Sequence, residues 1–69
     1  MTKLKLEMER KTKTVAGLSQ KSGINYTMLC AVVRGQWRAK PEHRAAIANV
    51  LGVAEEALFD GKGFAREVD

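Results

Sequence analysis

Residues 23–35 read Gly23-Ile24-Asn25-Tyr26-Thr27-Met28-Leu29-Cys30-Ala31-Val32-Val33-Arg34-Gly35. One glycine opens this stretch after a short helical pattern, and a second closes the pattern that follows. Gly23 can take the positive φ that a tight turn needs. Ile24 is the apolar residue of that turn and is expected to be buried. Asn25 is a favourable N-cap, so a helix is predicted over Tyr26–Arg34, with Leu29, Val32 and Val33 on its inner face. Gly35 supplies its stop. A helix, a glycine turn and a second short helix can present that second helix to a groove in a partner.

Upstream, Thr14 can cap a preceding helix with Val15, Leu18 and Ser19 turned inward, although Gly17 and Ser22 lower its intrinsic helicity. Leu4 and Met8 are four apart and would form one apolar stripe on a helix over Lys3–Lys11. Leu4, Leu6 and Met8 also alternate with charged residues, which is a strand signal. The Glu and Lys content favours helix, and an extended segment stays open. Downstream, Gln36–Lys40 is a polar loop whose Trp37 is expected to pack at the core edge, the alternative being that it faces the backbone of a partner. Pro41 starts a fourth helix through about Leu51, with Ala45 or the Arg44 stem, Ile47, Ala48 and Leu51 inward. Gly52 ends it, and a short fifth helix follows over Ala54–Phe59 with Glu55 and Glu56 in its first turn.

The expected fold is therefore all-α, a compact bundle of about five short helices in one domain over residues 1–60. Asp60-Gly61-Lys62-Gly63 breaks the pattern. Residues 61–69 are read as a C-terminal tail, either flexible or part of a dimer contact, with a short strand over the last six residues left open by Phe64 and Val68. Leu58, Phe59 and Phe64, with Val68, are the candidate apolar surface for a second subunit, the core being the competing location for Phe59, Phe64 and Val68.

Sixty-nine residues lie near the lower limit for an unaided hydrophobic core. The single cysteine, Cys30, excludes an intrachain disulfide and a cysteine-based zinc site. Neither an apolar run of membrane-spanning length nor a signal-peptide pattern is present, which leads to the expectation of a cytoplasmic protein. Residues 1–40 carry nine Lys/Arg against two carboxylates, a net +7, whereas residues 41–69 carry three against six, a net −3. A basic N-terminal part and an acidic C-terminal part suit a molecule with one polyanion-facing side. A merely solvated basic surface accounts for the charge alone equally well.

In order and spacing, Leu18, Gly23-Ile24-Asn25, Leu29, Val32, Arg34-Gly35, Pro41, Ile47-Ala48, Leu51-Gly52-Val53 and Leu58-Phe59 resemble the Cro/repressor-type helix-turn-helix family of bacterial and phage transcription regulators. The resemblance covers residues 14–59. It implies a third helix lying in the major groove of double-stranded DNA, on which the protein would act as a homodimer. Tyr26 and Thr27 would then stand at the base-facing start of that helix, with Cys30 and Ala31 one turn further along. Thr14, Arg34, Gln36, Arg38 and Lys40 would meet the DNA backbone, while Leu18, Gly23, Ile24, Asn25, Leu29 and Val32 would build the motif itself. Each assignment is chemically reasonable. A threonine hydroxyl can bond a base edge, a threonine methyl or an alanine can meet a thymine methyl, and the cations supply sequence-independent attraction.

The chain departs from the family at Val15, where many members carry a phosphate-clamping glutamine, and at Thr12-Lys13, where Gly-Leu is usual. Its base-facing positions lack Arg, Asn, Gln and Lys, so direct bidentate readout is poor and DNA shape, water or a second subunit would supply selectivity. That poverty motivates a second reading, a protein-interaction module (antitoxin-like or an anti-repressor) that keeps the fold. Cys30 has no acid–base partner in reach of the sequence, and His43 stands thirteen positions away without fellow ligands. No nucleophile–base pair, metal set or phosphate loop supports an enzyme, and no cofactor or metal is expected.

Overall fold

The computed structural model describes residues 1–68. Five helices follow one another, α1 over Lys3–Lys11, α2 over Val15–Ser22, α3 over Tyr26–Val33, α4 over Pro41–Leu51 and α5 over Glu55–Leu58. The fold class is all-α, as expected. None of the helices is long and apolar enough to cross a membrane among the described residues.

The N-terminal segment is helical. A strand would have put Leu4, Leu6 and Met8 on one face. The helix instead buries Leu4 and Met8 and leaves Leu6 at the surface. Thr2 decides where α1 begins. Its Oγ1 accepts the Lys5 N–H at 3.1 Å and donates to the Val33 carbonyl at 2.6 Å, although the two residues are 31 positions apart. The cap of α1 therefore also holds the end of α3. Thr2→Ala would remove the cap and leave a buried carbonyl without its partner. The expected cost is about 2 kcal/mol in urea unfolding, with Thr2→Ser retaining most of the stability.

Thr14 caps α2 by accepting the Gly17 N–H at 3.0 Å. Gly17, which lowers the helicity of this segment, has a packing reason to be there. A Cβ at that position would lie 2.8 Å from the Thr12 carbonyl. Gly23 ends α2 with φ +77°, Ile24 is buried in the turn, and the Ser19 hydroxyl donates to the Ile24 carbonyl. Asn25 Oδ1 accepts the Met28 N–H at 3.1 Å and starts α3, which ends one residue earlier than expected, with Arg34 as its C-cap. α2 packs on both α3 and α4, α4 on α5, and α1 on α4 and α5. Leu18, Ile24, Leu29, Val32, Val33, Ile47 and Leu51 share one core. On α4 the inward position near the start belongs to the half-buried Arg44, whereas Ala45 is exposed. The Arg44 guanidinium has a reason to turn in, since it donates to the Ala39 carbonyl and to Glu55 at 3.1 Å.

Two expectations for the C-terminal part are corrected. Leu58 and Phe59 are fully within the core, at 0% and 2% exposure, and are unavailable as a dimer surface. Helix α5 is only one turn long, so the chain leaves it at once and carries both side chains inward. Phe64 is half-buried. Residues 61–68 are not a loose tail either. They fold back, with Ala65 bridging Phe59 and Glu67 bridging Thr2. Arg66 N–H donates to the Leu58 carbonyl at 2.9 Å, Lys3 N–H to the Arg66 carbonyl at 2.7 Å, and Val68 N–H to the Met1 carbonyl at 2.9 Å. Only Asp69 of the expected tail lies outside the described residues.

The return is made at Asp60, whose Oδ1 accepts the N–H groups of Lys62 at 2.9 Å and Phe64 at 3.0 Å. The Phe64 N–H, followed by those of Lys62 and Gly63 and the charge of Arg66, holds the Asp60 carboxyl below its ordinary value. The stabilisation from a depressed carboxylate is complete above the unfolded-state pKa and is lost as pH falls through the folded-state one. Asp60→Asn keeps an acceptor oxygen but removes the charge. Its melting temperature is expected to lie below wild type at neutral pH, and the gap to close in acid, below about pH 4.

Candidate nucleic-acid interface

Helix α3 has one turned-in arc and one turned-out arc. Leu29, Val32 and Val33 are buried and Met28 is half-buried, which sets the inner side. At 100° per residue, the opposite side carries Thr27, Ala31 and Arg34 in one line and Tyr26 and Cys30 in the next. Tyr26, Thr27 and Arg34 are exposed, while Cys30 and Ala31 are half-buried. The expected base-facing residues thus do share the outer arc. Ala31 and Cys30 are low points on it, flanked by the taller Tyr26 and Arg34.

The arc is not equally open on both sides. Tyr26, Cys30 and Arg34 line a groove of about 200 Å³ together with Lys5 and Met8 of α1 and Val15 of α2. Hydrogen bonding with Cys30 pushes the Tyr26 phenol above its ordinary value, against a smaller downward pull from the Arg34 charge. Tyr26 and Cys30 therefore act as neighbours at the groove edge. Thr27 and Ala31 lie away from that contact. Thr14 is exposed, its Oγ1 engaged with the Gly17 N–H, and Val15 next to it reaches the same groove.

The loop after α3 holds the remaining predicted contacts. Gln36, Arg38 and Lys40 are all exposed. Trp37 is not packed at the core edge as expected. It is 59% exposed, because the core position of this loop is taken by Ala39, at 2% exposure. Among the described residues, Lys5, Arg34, Arg38 and Lys40 form no ion pair, whereas Glu7, Glu55 and Glu67 are engaged with Arg10, Arg44 and the terminal amine. Exposed, unneutralised cations therefore stand along α3 and its following loop, with those carboxylates occupied elsewhere.

Lys5 is a member of this surface that no local pattern places there, and Trp37 takes the outward position that was the less favoured of its two expected ones. Lys5 belongs to α1, 21 positions before Tyr26, and only the tertiary fold brings it to the groove beside Tyr26 and Arg34. Its place beside the Leu4–Met8 stripe, next to Met8 on the helix, is the available signal. Trp37 lies between cations in a glycine-started loop, a pattern that suits exposure as well as burial. Among the described residues no group of three His, Cys, Asp or Glu side chains is placed to hold a metal ion. No protein-family model, curated protein sequence or solved structure matches the chain.

Proposed function

We propose that this chain is a small transcriptional regulator that binds double-stranded DNA through α3, in the manner of the Cro/repressor-type helix-turn-helix proteins it resembles. The supporting observation is the outer arc of α3, on which Tyr26, Thr27 and Arg34 are exposed, followed in the next loop by the exposed cations Arg38 and Lys40; none of the three cations forms an ion pair among the described residues. In this reading Thr27 and Ala31, with Tyr26 and Cys30 beside them, face base edges. Thr14, Arg34, Gln36, Arg38 and Lys40 meet the backbone. Cations meeting phosphates release counterions, so affinity must fall as salt rises.

A salt titration against random-sequence duplex tests the reading. The logarithm of affinity is expected to fall linearly with the logarithm of salt, with a slope of roughly −3 if about three phosphates are neutralised. No binding at low salt, or binding indifferent to salt, overturns it. Homodimerisation on DNA predicts half-sites roughly 34 Å apart. Duplexes selected from a random pool should then share two such half-sites.

The outer arc carries no Asn, Gln or Lys, and its one Arg sits at the helix end. That favours, as a second reading, the interaction module of antitoxin-like or anti-repressor type. The double variant Arg34→Ala with Arg38→Ala separates the two. It abolishes duplex binding under the first and spares partner binding under the second.

A further inference from the structure

Trp37 is the chain's only tryptophan, and its exposure is built into the loop. On one side the Gln36 and Trp37 N–H groups both point to the Ala31 carbonyl of α3, at 2.9 and 3.4 Å. On the other side Ala39 is buried, its N–H donating to the Gly63 carbonyl at 2.9 Å and its carbonyl accepting from Arg44. The loop is therefore anchored at both ends, and the indole is held outward from an ordered segment. Around it in sequence stand Arg34, Gln36, Arg38 and Lys40, all exposed.

A tryptophan presents a large apolar face and one N–H donor, with no acceptor. Arginine and lysine likewise only donate. An exposed apolar face with three cations within three residues of it in sequence is complementary to a polymer edge on which apolar sugars alternate with anionic phosphate acceptors. We infer that Trp37 is itself a duplex-DNA contact, its indole lying on the sugar edge of the backbone beside the phosphates met by Arg38 and Lys40. This inference rests on the duplex-binding reading and adds an apolar contact outside α3. A second copy of the chain is the competing occupant of this face. It is disfavoured because pairing the face with itself would bring the cations of two copies together.

The single tryptophan makes the test direct. Binding is followed by anisotropy of a labelled random-sequence duplex, and the indole by its own emission. At saturation, Trp37 emission is expected to shift to the blue and to gain protection from iodide quenching. Trp37→Ala is expected to weaken binding about tenfold, the scale of an aromatic contact with a nucleotide. Its melting temperature and the slope of log affinity against log salt should match wild type, because no charge is lost. Arg38→Ala, by contrast, should reduce that slope by about one. If Trp37→Ala binds like wild type, or the emission is unmoved at saturation, the inference falls while duplex binding stands. A blue shift that depends on protein concentration without DNA, together with a dimer in sedimentation equilibrium, assigns the face to a second copy and also overturns it. Absence of any duplex binding by anisotropy removes the duplex-binding reading, and this inference with it.

Discussion

Leu58→Ala is expected to cost about 3 kcal/mol of unfolding free energy, within the range of about 2–5 kcal/mol seen when a buried leucine is truncated. The side chain, at the end of α5, is fully buried in the common core at 0% exposure. Truncation removes its transfer free energy and leaves a cavity that the surrounding leucines fill only in part. A 69-residue domain has a total stability of only about 3–10 kcal/mol, so the loss is a large fraction of the whole. The melting temperature should drop by roughly 10–25 °C. In urea, the midpoint should fall at unchanged m-value. If Leu58 instead served a subunit interface, the variant would lose self-association and keep its urea midpoint.

Gly63→Ala should cost about 2–3 kcal/mol, for two separable reasons. The residue sits at φ +92°, where an L side chain is strained. A Cβ there would also lie 2.6 Å from Arg44 Nη1 and 3.1 Å from the Ala39 carbonyl oxygen. The guanidinium could swing away only by giving up its bonds to Ala39 and Glu55. Because Ala39 anchors the loop that carries Trp37, the variant should also loosen that loop, read as increased iodide quenching of the indole. Gly61→Ala is the control. It has neither a left-handed φ nor an atom within 4 Å of the added Cβ, and should stay within about 0.5 kcal/mol of wild type. Equal effects at the two positions would refute the steric account.

The parts of the fold that were legible in advance share a physical property. Thr14, Gly23, Asn25, Pro41 and Gly52 act on backbone groups within about four residues of themselves, so their type and position suffice to place the helix ends. The same locality explains why the outer arc of α3 could be drawn correctly, since helical periodicity alone orders its residues around the axis. The segment Leu4, Leu6 and Met8 is ambiguous because Leu4 and Met8 share a face in a helix and all three share one in a strand. Thr2 settled it by capping α1 while bonding to Val33.

What was misplaced depended on distant partners. Trp37 was expected against the core, but Ala39 occupies that position, held there by Gly63 and Arg44 from two other elements. Leu58 was expected at an interface and Phe59 at an interface or in the core, and both are buried where the returning segment 64–68 closes on α5. Lys5 joined the α3 groove only through the packing of α1.

By itself, then, the sequence determined the helices, their caps, the turn at Gly23 and the outward residues of α3, because each rests on short-range hydrogen bonding and a 3.6-residue period. Tertiary structure alone decided that α1 is tied to α3 through Thr2, that the C-terminal residues close the core, and that the indole of Trp37 faces solvent. Those outcomes turn on which of several apolar or polar groups, far apart in the chain, fills a shared site at the lowest free energy, and no local pattern encodes that competition.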